Sequence, residues 1–492
     1  MKKYIYGTLI GLMSLSFGGC ETDILDKQPR DKLSSGEFWQ SESDFEMALT
    51  AVYGSLQEGF LWDDFGGIIS YGTPNLDVLT DNAFGQHNYW SSQAIVQGNI
   101  SPSTGGYINE IYNISYQGIA RANTLLQQLN QYEGTDMDAQ AKATLDAEAK
   151  FIRGYYYYLL YFFYGSVPIV TEPLNLENQI QAKSPAEEVL NQSISDLDFA
   201  IANLPDQPYS TGHAVKTSAQ ALKARVLMYA AYGSNGIPDL VMLAQARDLT
   251  SEVMNAGYSL DPNFENVFRA GTQEASPEII FSIKYLAPND VNRMDIMYGD
   301  WLVISPLQNL VDAFEEGDPR LEKSIFVNQV EINGNTHSPS NNVPTGYGVK
   351  KFLSPDLMPY GYATPSEQDW VMLRYAEVLL MYAEAQNELS GPDGSVHDAI
   401  NAVRNRVGMP DVPEGLSQVE MREAIRHERR VELAFEGLRY YDLKRWRIAE
   451  EVLNNVTDGI LEYNFEERFY QWPLPQTEID KSQGELVQNE NY

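Results

Sequence analysis

The chain has 492 residues, 43% of them hydrophobic and 21% charged, which suits a buried core and argues against wholesale disorder. Lysine and arginine number 34 against 68 aspartates and glutamates. The resulting net charge of −34 argues against a nucleic-acid binder and against a polybasic binder of anionic membranes, and the single cysteine excludes an intramolecular disulfide or a cysteine-based zinc site.

Lys2 and Lys3 precede a mostly apolar stretch, residues 4–17, and then Gly18 and Gly19 lead to Cys20. A basic start, a short apolar run and small residues at a cleavage point make a secretory signal over 1–19. Cys20 sits where the small residues end, which resembles the lipobox of bacterial lipoproteins, with Phe17 where many have Leu. There the thiol is diacylated and the chain is cut just before it. Two or more acyl chains, at ~0.8 kcal/mol per buried CH₂, anchor a protein firmly. The alternative is an ordinary secreted protein with an incidental cysteine.

A long aromatic stretch, 60–106, has no clear period. Helical spacing follows: Ile108, Ile111, Tyr112, Ser115, Ile119, Ala122, Leu126 and Leu129 fall on one stripe. Residues 154–171 are charge-free and begin with Tyr155, Tyr156, Tyr157 and Tyr158, but Gly165 and Pro168 interrupt them, so they read as a buried helix with an extended exit rather than a membrane span. Ser184 and Pro185 read as N-cap and first helical residue of a helix ending near Leu204 and Pro205. Further helices are expected at about 217–232, 240–255, 370–388, 396–407, 418–435 and 440–453. Two more irregular stretches, 261–301 and 316–365, lie between them, the second with strand-like pieces at 324–332 and 348–352. Loops this long are uncommon unless they are functional.

Leu227-Met228-Tyr229-Ala230 recurs as Leu380-Met381-Tyr382-Ala383, each in a helix followed by a short loop and a second helix. Such pairs, with small residues at the crossing, look like tetratricopeptide units. A helical bundle without a true repeat is the alternative.

No catalytic or metal motif stands out. The five histidines share no ligand spacing, and His427-Glu428 lacks the second histidine of a zinc-protease helix. There is no nucleophile elbow and no phosphate loop. Asp290, Asn292 and Asp295 fall short of a calcium loop. The expectation is therefore no catalytic set, no cofactor and no metal.

Between Ile425 and Trp446 the chain reads Ile-Arg-His-Glu-Arg-Arg-Val-Glu-Leu-Ala-Phe-Glu-Gly-Leu-Arg-Tyr-Tyr-Asp-Leu-Lys-Arg-Trp. Glu428, Glu432 and Glu436, and Arg426 and Arg430, stand at four-residue steps, which supports an ion-pair network locking this helix onto the body. This segment resembles the C-terminal signature of the SusD/RagB family. Leu373–Gln386, Ile400–Arg406, Ile119–Asn123, Glu148–Tyr155 and the stretch closing on Gly165-Ser-Val-Pro168 are similar to that family as well. The resemblance implies a mainly α fold, a tetratricopeptide-like helix-pair scaffold with long inserted loops and a few short strands. It implies a signal peptide over 1–19, an N-terminal region over 20–240 and a C-terminal region over 241–492 of one compact body. It also implies a lipoprotein of the outer membrane, held through Cys20 and facing the cell exterior, that sits as a lid on a SusC-like TonB-dependent barrel and is not an enzyme. Glu21, Asp23 and Asp26 look like the surface-export signal of Bacteroidetes lipoproteins.

The cargo implied is an oligosaccharide, or a peptide in the RagB branch. Sugars stack on flat aromatic rings, and carboxylates or amides read their hydroxyls. Two loop regions qualify: Trp62, Asp63, Asp64, Tyr71, Asp81, Asn82 and Trp90, and then Tyr298, Asp300 and Trp301. Trp90 and Trp301 are expected as stacking platforms, Asp63, Asp64, Asp81 and Asn82 as hydrogen-bonding partners, and Tyr298 as a flank. Trp39, Trp370 and Trp446 are expected in the core. The acidic body favours a neutral glycan. A surface glycoside hydrolase and a scaffold that binds only protein remain as competing readings.

Overall fold

The computed structural model describes residues 38–57, 73–209, 212–457 and 460–492. The signal segment, Cys20 and the loop candidates Trp62, Asp63, Asp64 and Tyr71 lie outside the described residues.

Helices in contact with their chain neighbours build the body: α1 (Glu42–Gly54), α2 (Tyr107–Gln131), α3 (Ala139–Tyr164), α4 (Ala186–Asn203), α5 (Lys216–Ala230) and α6 (Leu240–Met254). A short helix, α7 (Met294–Gly299), lies in the irregular region, and α8 (Tyr375–Ser390), α9 (Gly394–Arg406), α10 (Gln418–Glu432) and α11 (Arg439–Arg445) complete the set used below. The expected stripe on α2 is buried from Ile108 to Leu129. Close approach is built in: a Cβ on Gly118 of α2 would lie 2.0 Å from the Tyr156 ring of α3. Asp138 caps α3 by accepting from the Ala141 N–H, and Gly165 ends the helix at φ +71°. Tyr155, Tyr156, Tyr157 and Tyr158 are all buried. Among the described residues no helix is long and apolar enough to cross a membrane.

The two repeats do form helix pairs, α5 with α6 and α8 with α9, and α8 packs against α6 to join them. Arg225 of α5 crosses to Glu377 of α8 in a buried two-pronged pair at 2.9 and 2.5 Å. The result is the tetratricopeptide-like helical scaffold with few short strands.

Several boundaries move for physical reasons. Ser184 bonds to Val167 in an isolated bridge, and Pro185 is extended (ψ 146°), so α4 starts one residue later than its N-cap signal. Residues 370–374 were expected to open a helix. They form instead a fully buried strand, β8 (Trp370–Arg374), antiparallel to β2 (Ile279–Ile283). Burial on both faces removes the alternation that marks a strand in sequence. The expected helix at 440–453 breaks after Arg445, where Arg447 takes φ +59°.

The remaining strands pair two by two: β1 (Ala83–Gly85) with β3 (Ile304–Pro306), β4 (Ile325–Val327) with β7 (Tyr347–Val349), and β5 (Val330–Ile332) with β6 (Asn335–His337). One large apolar core runs through the helices and these strands, and a smaller one sits among α8, α9 and α10.

Candidate functional site

The β1–β3 ladder joins the segment before Trp90 to the segment after Trp301. Gly85 pairs with Ile304, so the segment running on to Trp90 and the segment arriving from Trp301 leave the ladder at the same end. Their separation in sequence hides this.

Trp90 is half-buried, with its ring 5.8 Å from that of Tyr107 at the start of α2. Its backbone lies in the left-handed region (φ +54°), as does that of Ser91 (φ +61°). A bulky residue seldom adopts this conformation, and surrounding structure must enforce it. The enforcement is visible: the Ser91 hydroxyl donates to the Thr104 carbonyl at 3.1 Å, and Gly106 lies so near that a Cβ there would be 1.9 Å from the Trp90 carbonyl oxygen.

Trp301 is also half-buried and follows α7. Its N–H donates to the Ile296 carbonyl at 2.7 Å, and the next residue, Leu302, is left-handed (φ +53°). The ring meets that of Tyr362 edge to face at 5.2 Å. Tyr362 is 57% exposed, so an aromatic edge reaches solvent beside the indole. Asn341 donates to the Trp301 carbonyl at 3.0 Å. Asp300 braces the same loop, accepting from the Ser340 N–H and hydroxyl at 2.8 and 2.6 Å and meeting His337 at 3.0 Å.

The structure gives other roles to three residues expected to touch ligand. Asp81 is buried, and its two oxygens are gripped by Arg439 at 2.9 Å each, with Arg430 at 2.9 Å. Burial pushes its carboxyl up, but Arg439 and Arg430 outweigh this and hold it below the usual value. Asn82 is fully buried, accepting from Arg430 and donating to Asp77 at 2.9 Å each. Tyr298 is 2% exposed and packs at 5.8 Å on the Phe352 ring. Asp81 and Asn82 therefore fasten strand β1 to α10 and α11, and Tyr298 anchors α7 in the core. Trp370 and Trp446 are buried in the core as expected, and Trp39 is half-buried against it.

Tyr107 and Tyr362 are the aromatic neighbours that sequence reasoning missed. Tyr362 falls in the aromatic stretch 316–365, but nothing local marks it, because its partner Trp301 lies some sixty positions away. The three residues weighed for calcium diverge. Asp290 accepts from Gln57 at 2.7 Å, Asn292 donates to the Gln368 carbonyl at 2.7 Å, and Asp295 accepts from Ser354 and Ser366 at 2.6 and 2.7 Å.

Two family models match the chain: "SusD family" over residues 299–492 and "Starch-binding associating with outer membrane" over 23–228. The chain belongs to the SusD/RagB family. SusD-like protein P2 of Formosa agariphila is 26% identical, covering 100% of both chains. A SusD-like carbohydrate-binding protein of Bacteroides fragilis superposes with a TM-score of 0.77 at 26% identity, over 91% of this chain and 99% of that one. A laminarin-binding SusD-like protein superposes with a TM-score of 0.74 at 25% identity, over 92% and 100%. The relatives are named as SusD-like proteins, the two solved structures as carbohydrate- and laminarin-binding ones, and the second family model describes association with the outer membrane.

Proposed function

We propose that this SusD-like protein is a lipoprotein, anchored through Cys20 and facing the cell exterior, that captures neutral oligosaccharides and delivers them, as a lid, to a SusC-like TonB-dependent barrel. The observation that carries the capture step is the pair of half-buried tryptophans at one end of the β1–β3 ladder, each held in or beside left-handed backbone. Fixed aromatic platforms lose little conformational entropy when a sugar ring stacks on them. The carbohydrate-binding relatives support the same reading, and the laminarin-binding one supplies a first neutral glucan to try.

The test is calorimetric titration of the acyl-free protein with the glycan it retains, in wild type, Trp90→Ala and Trp301→Ala. Each substitution weakens binding by ~1–3 kcal/mol, by analogy with bases stacked on aromatic side chains. Thermal unfolding stays cooperative in both variants. Two wild-type titration curves from correctly folded variants would sink the assignment.

A further inference from the structure

A cavity opens between the last turn of α3, the turn after α5, the end of α11 and the C-terminal segment, and neither Trp90 nor Trp301 lines it. It measures about 400 Å³, within the usual range for small-ligand sites.

The charged groups around it are already matched. Arg445 is held by Glu384 at 2.5 and 2.6 Å and by Asp442 at 2.8 Å. Arg447 pairs with Glu467, and Arg468 pairs with Glu466 at 2.8 Å. Lys444 is buried, its amine sealed from solvent and 4.6 Å from the centroid of the Phe162 ring. The cavity therefore gives a charged ligand no free counter-ion.

What it offers instead is an aromatic wall and free polar groups. Tyr161, in the last turn of α3, is half-buried, whereas Tyr155, Tyr157, Tyr158 and Tyr164 of the same helix are buried. Among the described residues its ring pairs with no other ring and its hydroxyl with no polar group. Ser234, Gln471 and Asn491 are exposed on the same lining, and their side chains have no hydrogen-bond partner among the described residues either.

The frame sets these groups in place. A Cβ on Gly165, which ends α3, would lie 2.6 Å from the Gln471 amide nitrogen, so the glycine lets that amide rest on the helix end. Ser234 sits on a turn closed by the Gly236 N–H donating to the Gly233 carbonyl at 2.9 Å and by the Tyr232–Pro238 bridge. The Tyr492 hydroxyl reaches the Arg468 and Gln471 carbonyls at 3.2 and 3.0 Å, which ties the chain end carrying Asn491 to the opposite wall. Arg447, in left-handed backbone, lays its guanidinium 3.4 Å over the Tyr470 ring.

A neutral sugar has an apolar C–H face and a rim of hydroxyls, each of which donates and accepts. A phenol supplies a flat apolar face with a polar edge, and amides and a hydroxyl supply donors and acceptors together. We infer that this cavity is a second carbohydrate site, taking a single neutral sugar ring packed on Tyr161, with its hydroxyls read by Gln471, Asn491 and Ser234. It goes beyond capture at Trp90 and Trp301 and shares no residue with it.

The test is saturation-transfer NMR of the acyl-free protein with glucose, galactose, mannose and xylose in turn, at millimolar concentration. The decisive chain is Trp90→Ala/Trp301→Ala, which lacks both tryptophans. At least one sugar is expected to receive saturation from it. Adding Tyr161→Ala is expected to reduce that signal several-fold, and so is adding Gln471→Ala/Asn491→Ala, which changes only exposed side chains and keeps the fold. No transfer to any of the four sugars from the chain lacking both tryptophans would overturn the inference. So would a signal that survives both additions unchanged, because it would come from elsewhere on the surface. Capture at the tryptophans is judged on oligosaccharide titration of the single variants, so either reading can fail while the other stands.

Discussion

Asp81 illustrates how one side chain can look like a ligand contact and serve as a clamp. In sequence it stands beside Asn82 in an aromatic loop region, where sugar-binding carboxylates are expected. In the structure its partners, Arg430 and Arg439, come from 349 and 358 residues away, and no local pattern could reveal them. Removing one member of a buried pair leaves an uncompensated charge, at a cost of ~3–5 kcal/mol. Asp81→Asn should therefore lower denaturant stability by several kcal/mol, with any loss of glycan affinity following from displacement of β1. An unchanged unfolding midpoint with lost binding would return Asp81 to the ligand. Trp90 and Trp301, in contrast, stand out in sequence as large aromatics in long irregular stretches, and both are half-buried in the structure. Their left-handed surroundings were not legible, since backbone strain at a tryptophan leaves no mark in composition.

The helix α10 shows the same division. Glu428 and Glu432 of this helix and Glu436 just beyond it were readable as an ion-pair network, and the network exists. Its partners are not the arginines of the same helix. Glu428 meets Arg320 and Arg404 at 2.5 and 2.9 Å, Glu432 meets Arg374 and Arg406 at 2.6 and 2.5 Å, and Glu436 meets Arg374 and Lys351 at 2.6 Å. Arg430 instead turns to Asp81, and Arg426 lies 4.7 Å over the Trp446 ring. Burial pushes the Glu432 carboxyl up, but Arg406, Arg374 and Arg320 hold it well below its ordinary value. Glu384 behaves alike: burial is outweighed by Arg445 and Arg429 and by the Trp446 indole, and the carboxyl is held at about 2. Carboxyls depressed in the folded state contribute stability that is present above the unfolded value of about 4.3 and lost as pH falls toward 2. The melting temperature should therefore drop steeply between pH 5 and pH 2, over about three units. Glu432→Gln should cost ~3–5 kcal/mol at pH 7 and flatten that drop. A variant as stable as wild type would show that the network does not hold the helix. The strand at 370–374 escaped the sequence because a doubly buried strand and a buried helix present the same apolar run.

The scaffold was the most legible part of the protein. Helical stripes, the recurring Leu-Met-Tyr-Ala and the family motifs in order all pointed to helix pairs, and the described residues form them. What could not be read was how the inserted loops return to one another, because among the described residues four two-stranded pairings link positions up to 223 residues apart. Those pairings set the two tryptophans on one end of a ladder. The acidic body adds a condition: a neutral cargo should bind with little dependence on salt, because no charge attraction is being screened. The most direct measurement is affinity electrophoresis of the acyl-free protein through gels containing laminarin, other neutral polysaccharides and acidic ones, with the gel extract assayed for released sugar. The account predicts retardation by a neutral polysaccharide, with no product released and no loss of retardation in higher salt. Retardation by none of them, or only by acidic chains in a salt-sensitive way, would contradict neutral-glycan capture and move the cargo to peptides or uronates.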